Sequence, residues 1–302
     1  MTEPKITSQE LSREDHFYLD LALKNKALIA PPRHSNFRTY TIITYQDLED
    51  KIQYVTGTNR ETFFLGGTIC GERSACLKLA EVEVKEVKTV YLVSDSSKYI
   101  SMGIACRDFL IDQLPVETRV VMWGQNNYKV TTLAELYPYP AIYRNINVTD
   151  VVGFAQNFAQ SMEKPIFDSK LAELYRKAID FTKYDDKDVF YPIRLAAGVL
   201  YENGEMEIAW QTKMLEFAKT VDPVTNLLPG MRKNRLLNIN PVVIIQVDQF
   251  GVLQTLSDGA RCNLAEDGFG SVKVFIHSKN GKITELKVAD LYPDTPKVSE
   301  ML

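Results

Sequence analysis

The sequence predicts a tandem pair of three-layer α/β/α domains with mixed sheets. Helix-period and strand-period stretches alternate along the chain, the pattern of a sheet covered by helices. The string Leu133-Ala134-Glu135-Leu136-Tyr137-Pro138 returns in nearly the same form as Val288-Ala289-Asp290-Leu291-Tyr292-Pro293, 155 residues later. Asn36-Phe37-Arg38 parallels Pro192-Ile193-Arg194 at an offset of 156, and a β-rich run precedes each Leu-Tyr-Pro string. Landmarks that share one offset to within a few residues mark two copies of one unit. A chain of 302 residues has room for both, at roughly 150 residues per domain.

The elements follow in order. Residues 14 to 28 read as a helix, with its apolar stripe expected at Phe17, Leu21 and Leu28, and Pro31-Pro32 ends it. Thr39 to Tyr45 is β-branched and aromatic, hence a strand, and Lys51 to Thr56 is a second. Leu65-Gly66-Gly67 is a loop whose backbone can come close to something. A helix over about Gly71 to Glu81 should turn Leu77 and Ala80 to the core. Thr89 to Val93 is a short strand of the buried type, Ile104 to Leu114 a third helix, and Arg119 to Trp123 another strand. Val272 to His277 is the matching strand of the second copy. The expected boundaries are a first domain over 1–148, a helical, Pro-containing linker over 149–168, and a second domain over 169–302.

Composition narrows the function. With 45% hydrophobic and 25% charged residues the chain reads as a soluble globular protein. A net charge of −4 and the lack of a dense basic run argue against nucleic acid as the main partner. Met1 to Asp15 lacks the apolar core of a signal peptide, and no apolar run is long enough to span a membrane. A cytoplasmic location with reduced thiols is therefore the expectation for Cys70, Cys76, Cys106 and Cys262. Three histidines, His16, His34 and His277, are too few for a His-rich metal cage.

The chemistry-bearing stretch is Cys70-Gly71-Glu72-Arg73, at the start of a helical pattern. A thiolate in the first turn meets exposed N–H groups and the positive end of the helix dipole, which lower its pKa. The plain alternative is a buried cysteine followed by a solvated Glu-Arg pair. Cys106, thirty-six residues on, opens a second helix with Arg107 beside it. Two thiolates at two helix starts suit a tetrahedral zinc site, although a catalytic zinc takes three protein ligands and an open position.

Together these residues resemble the cytidine deaminase family. Its nucleoside-type members carry Asn-x-Glu-Asn eleven residues ahead of Cys-Ala-Glu-Arg. Here Asn59-Arg60-Glu61-Thr62 stands eleven residues ahead of Cys70-Gly71-Glu72-Arg73. The resemblance covers most of residues 14 to 140 and implies Cys70 and Cys106 as zinc ligands and Glu72 as the proton-transfer group. It implies Asn59 and Glu61 on the ribose hydroxyls, Phe37 near the base, and Arg73 balancing the thiolate charge. The doubled chain resembles two-domain members with one active and one inactive copy, which implies a homodimer. The substrate implied is a pyrimidine nucleoside, cytidine or deoxycytidine, deaminated hydrolytically to the uridine form.

Two features depart from that pattern. The family has Pro-Cys-x-x-Cys at the second helix, whereas this chain has Met102-Gly103-Ile104-Ala105-Cys106, so Gly103 stands where a thiolate ligand is expected. Cys76 points roughly 240° round the helix from Cys70, which leaves Ser94, Asp95 or Ser101 as substitutes. The second copy places Gln211, Asp222, Val224 and Ala260 opposite Asn59, Cys70, Glu72 and Cys106. A valine cannot move a proton and an alanine cannot hold a metal. The second copy is thus structural or a partner surface, unless its Trp210-Gln211-Thr212-Lys213 run binds something. Beside the deaminase reading stands a second one, an inactive relative that keeps the fold as a nucleoside-binding or scaffold protein.

Overall fold

The computed structural model describes residues 10–62 and 67–296 and divides into two compact units. One runs to Tyr137 and regains the chain from Asp294 on; the other is Pro138–Pro293. Leu65 and Gly66 of the expected loop lie outside the described residues.

In the first unit, α1 (Arg13–Ala27) precedes β1 (Thr39–Gln46) and β2 (Ile52–Thr58), and α2 (Gly71–Leu79) leads to β3 (Glu86–Ser94). Then come α3 (Ile104–Gln113), β4 (Arg119–Trp123), β5 (Tyr128–Thr132) and the short α4 (Leu133–Leu136). The sheet order is β2-β1-β3-β4-β5, with β3 and β4 parallel and the other pairs antiparallel. Helix α1 covers one face, where Tyr18, Leu19 and Ala22 meet Ile42, Tyr91 and Val121. Helices α2, α3 and α4 cover the other, where Ala75, Cys76, Leu110 and Leu136 meet Ile43, Val90 and Met122. This is the expected three-layer arrangement around a mixed sheet.

The buried face of α1 is only in part the expected one: Leu21 packs, partly buried, against the core. Phe17 is 61% exposed and Leu28 85% exposed, while Asp15, Tyr18, Leu19, Ala22 and Lys26 are buried. Two of these, Asp15 and Lys26, are charged, so apolar periodicity missed them. Asp15 accepts hydrogen bonds from both Arg119 guanidinium nitrogens at 2.6 and 3.0 Å and from the Tyr91 hydroxyl at 3.0 Å. Lys26 donates to the Ser94 carbonyl and pairs with Asp95 at 2.9 Å. Partners of this kind let charged groups lie inside. Burial alone would push the Asp15 carboxyl up, but Arg119, Ser12 and Tyr91 outweigh it and hold it at about 2, against 3.8. A carboxyl whose folded pKa is depressed stabilises the fold above its unfolded pKa and loses that contribution as pH falls through the folded one. Asp15→Asn should therefore remove about 2 kcal/mol at pH 7. Urea titrations should show the gap between the two proteins closing between about pH 4 and pH 2.

Helix α2 also turns a different face inward. Leu77 is 50% exposed and Ala80 is exposed, and the core takes Ala75, Cys76 and Leu79. Close approach to β2 sets this phase. A Cβ at Gly57 would lie 2.2 Å from the Gly71 carbonyl oxygen and 2.3 Å from the Ala75 nitrogen, so only glycine allows the contact. Burial pushes the Cys76 thiol up to about 11, which makes it an inert core residue.

The second unit repeats the plan. After α5 (Val151–Ser161) and α6 (Ser169–Phe181) come β6 (Leu195–Tyr201), β7 (Met206–Trp210), α7 (Pro223–Leu236) and β8 (Pro241–Asp248). It closes with α8 (Asp258–Glu266), β9 (Lys273–His277), β10 (Ile283–Lys287) and α9 (Val288–Leu291). The order β7-β6-β8-β9-β10, with β8 and β9 parallel, matches the first sheet strand for strand. Helix α6 lies on one face against Val243, Ile245 and Val247, and α7, α8 and α9 cover the other. Helix α5 packs within this unit, its Val151 and Ala155 clustering with Ile142, Tyr143 and Val252. Among the described residues, no helix is long and apolar enough to cross a membrane.

Candidate active site

Two helix starts in the first unit aim at one point. The antiparallel bridge between Arg60 and Ile69 closes the loop after β2 and delivers Cys70 to the N-cap of α2. Gly103 is the N-cap of α3, which puts Cys106 in that helix's first turn. The donor atoms of Cys70, Glu72 and Cys106 lie within 4.8 Å of one another.

The expectation of reduced thiols does not hold at this pair: Cys70 and Cys106 form a disulfide, with Cα atoms 7.2 Å apart. Their separation of 36 residues gave no sign of it, because only the convergence of the two helices brings the sulfurs together. Cys76 and Cys262 are free. Thiol titration in denaturant should find two reactive thiols per chain before reduction and four after. Four before reduction would show that the isolated chain carries both site cysteines as thiols.

Glu72, in the first turn of α2, is 4% exposed, and its Oε2 has no hydrogen-bond partner among the described residues. Burial pushes the carboxyl up, against its own backbone N–H and the charges of Arg73 and Arg107. The hydroxyls of Thr39, Thr41 and Thr68 are also buried without hydrogen-bond partners among the described residues. The first two crowd Gly71, where a Cβ would sit 3.2 Å from Thr39 Oγ1 and 3.0 Å from Thr41 Oγ1. Arg73 donates from Nε to Cys70 Sγ at 3.4 Å and from Nη2 to the Thr68 carbonyl at 2.9 Å. Its guanidinium thus stands beside the Cys70 sulfur.

Asn59 and Glu61 both hold the loop that carries Phe37. The Asn59 amide accepts from the Thr39 N–H at 2.9 Å and donates to the Phe37 carbonyl at 2.8 Å. Glu61 Oε2 accepts from the N–H groups of His34 and Ser35 at 2.9 and 3.0 Å. Burial would raise the Glu61 carboxyl, but Ser35 and the His34 N–H outweigh it and leave it below the usual range. Phe37 itself is half-buried.

The substitutes considered for the missing thiolate are committed elsewhere. Asp95 pairs with Lys26 at 2.9 Å and Arg38 at 3.0 Å; burial would raise it, but these partners hold it at about 2. Ser101 Oγ accepts from Arg107 at 2.8 Å, and Ser94 Oγ accepts from the Ser96 N–H at 3.3 Å. As thiolates, Cys70 and Cys106 would offer two ligands that suit zinc, with the Glu72 carboxyl beside them. As a disulfide, the two sulfurs cannot serve as thiolate ligands.

Sequence reading passed over the fully buried Arg107. Its guanidinium donates to the carbonyls of Met102, Leu136 and Asp294 at 2.8, 2.7 and 2.9 Å, in addition to Ser101. The signal was available, since Arg261 stands at the matching place in the second copy and is also fully buried. Arg261 donates to the carbonyls of Leu256, Leu291 and Tyr139 at 2.9, 2.9 and 2.8 Å. An arginine kept in both copies is a clamp of the fold. In the second unit, Asp222 caps α7 through the N–H groups of Val224 and Thr225, in the place Cys70 takes on α2.

Solved cytidine deaminases are similar to this chain. The enzyme from Burkholderia pseudomallei is 20% identical over 42% of this chain and 98% of its own, with a TM-score of 0.37. That from Mycobacterium leprae is 22% identical over 39% and 92%, with a TM-score of 0.32. The Bacillus anthracis enzyme is 14% identical over 39% and 86%, with a TM-score of 0.28. No family model matches the sequence, and no curated protein sequence matches it.

Proposed function

We propose that the first unit, with Cys70 and Cys106 reduced, is a zinc-dependent site that deaminates cytidine or deoxycytidine by hydrolysis. The observation that carries this reading is the convergence of Cys70, Glu72 and Cys106 around a buried carboxylate oxygen without a partner. Cys70 and Cys106 would hold the metal, and the chemistry a zinc ion would supply there is a bound water that ionises near pH 7. Glu72 is placed for the proton work. Burial favours its protonated form, so it could give that proton to the ring nitrogen, take one back from the attacking water, and pass it to the departing ammonia. Arg73 would offset negative charge on the sulfurs, and Asn59 and Glu61 hold the loop that carries Phe37, the aromatic residue that would pack near the base. The test is conversion of cytidine to uridine by the reduced, zinc-supplemented chain. Turnover should be lost in Glu72→Gln while the melting temperature stays within a few degrees; turnover that survives Glu72→Gln would sink the reading.

A second reading is favoured by Gly103, which leaves the site one sulfur short of three. On this reading the chain is an inactive relative that holds a nucleoside or acts as a scaffold. Its mark would be a rise in melting temperature with cytidine, absent with the bare base, and no uridine formed by the unmodified chain.

A further inference from the structure

The two sulfurs that the proposed metal site needs are the two that this structure joins to each other. The bond lies where two helix starts meet, Cys70 at the N-cap of α2 and Cys106 in the first turn of α3. The partners differ in access: Cys106 is 5% exposed, whereas Cys70 is partly open to solvent. Arg73, also partly exposed, holds its Nε 3.4 Å from the Cys70 sulfur. Cys76 is buried in the core and Cys262 lies in the second unit, so neither can replace a partner. Gly103 at the N-cap of α3 supplies no third sulfur. One bond therefore takes up every thiolate the site has, where a three-cysteine site would keep one.

Thiol–disulfide exchange proceeds by attack of a thiolate on one sulfur of the bond, and access decides which sulfur is attacked. A small thiol, as its thiolate, reaches Cys70 first, and the Arg73 charge beside that sulfur draws it in. Its sulfur bonds to Cys70, the Cys70–Cys106 bond breaks, and the electron pair leaves on Cys106. A second small thiol attacks the outer sulfur of the mixed disulfide and frees Cys70. Two small thiols are thus oxidised to one small disulfide, and the protein bond gains two electrons. In reverse, the Cys70 thiolate attacks the small disulfide and Cys106 displaces the second small thiolate. In each direction the departing thiolates can take up the protons that the attacking thiols gave up.

We propose that Cys70–Cys106 is a reversible redox switch, opened through Cys70 by a small thiol and closed by its disulfide, that makes and removes the metal ligands of the first unit. It rests on the reading of both cysteines as metal ligands, and not on which molecule is deaminated.

Glutathione in its two forms is the probe. The folded chain is equilibrated with each form, its free thiols are trapped with a maleimide and counted by mass, and zinc binding is measured by equilibrium dialysis. Reduced glutathione should free Cys70 and Cys106, and oxidised glutathione should pair them again. Zinc affinity should fall about a hundred-fold or more on pairing. In Cys106→Ser the exchange should stop half-way, with one glutathione held on Cys70, whereas Cys70→Ser should take up none on Cys106. Cys76→Ala combined with Cys262→Ser should switch as the unmodified chain does. Circular dichroism checks the fold of each variant, and the counts on the unmodified chain decide if a variant does not fold. Three results would overturn the proposal: a bond that reduced glutathione leaves intact in the folded chain, free thiols that oxidised glutathione does not pair, or equal zinc binding in both states. Equal glutathione uptake by the two single-serine variants would overturn the entry through Cys70. A lack of uridine from the reduced, zinc-loaded chain would refute the deaminase reading alone and leave these results standing.

Discussion

Gly103→Cys should turn a weak metal site into a strong one. After reduction and dialysis, the unmodified chain should retain well under one zinc per chain, and the variant about one. The N-cap Gly103 has φ −63° and ψ 154°, an extended conformation open to any residue, and a Cβ there would meet nothing within 4 Å. Strain therefore does not oppose the substitution. A third thiolate completes the three-ligand set of a catalytic zinc, and affinity should rise on the order of 100-fold or more. Cobalt substitution gives a readout apart from turnover, through sulfur-to-metal charge-transfer absorption that grows with the number of thiolates. At a hundredfold excess of metal over Kd the bound state gains about 2.7 kcal/mol, visible as a higher melting temperature. Uridine formation should increase in Gly103→Cys and vanish in Gly103→Cys combined with Glu72→Gln. Full zinc occupancy in the unmodified chain would overturn the account and point to Glu72 itself as the third ligand.

Arg107→Met should be the most destabilising single change in the first unit. Its loss would strand three buried carbonyls and the Ser101 hydroxyl that it now binds. Breaking a buried charged network costs about 3–5 kcal/mol, and a unit of this size should melt roughly 6–20 °C lower. Arg107→Lys should lose nearly as much, because an ammonium has three donors and no planar fork to span acceptors on separate segments. The chain has two tryptophans, Trp123 in the first unit and Trp210 in the second. Near Trp123 the emission change should move to lower temperature in Arg107→Met; a shift under about 2 °C would show that the clamp contributes little.

Much of the fold was legible because its signals are local. The β-branched runs at Thr39 to Tyr45 and Arg119 to Trp123 lie within β1 and β4, and the helix expected from Ile104 appears as α3. The recurrence of Leu-Tyr-Pro corresponds to two sheets with the same strand order. Helix faces were less legible. Hydrophobicity alone favoured Phe17 over Asp15, since a sequence does not display the Arg119 and Tyr91 groups that make a buried carboxylate acceptable. On α2 it favoured Leu77 over Ala75, since the backbone approach at Gly57 exists only once β2 and α2 are packed.

The candidate site divides along the same line. Resemblance to the cytidine deaminase pattern singled out Cys70, Glu72, Arg73 and Cys106, and only that resemblance implied Gly103 as a position without a ligand. Covalent order cannot say which groups meet, and here three meetings matter. Cys70 reaches Cys106 because two helix starts converge, Asn59 and Glu61 grip the Phe37 loop across a strand, and Arg107 closes on a segment from the far end of the chain. Chemistry of side chains and period of pattern are properties of sequence. Distance, burial and the choice of partner are properties of packing, and only the tertiary structure decided them.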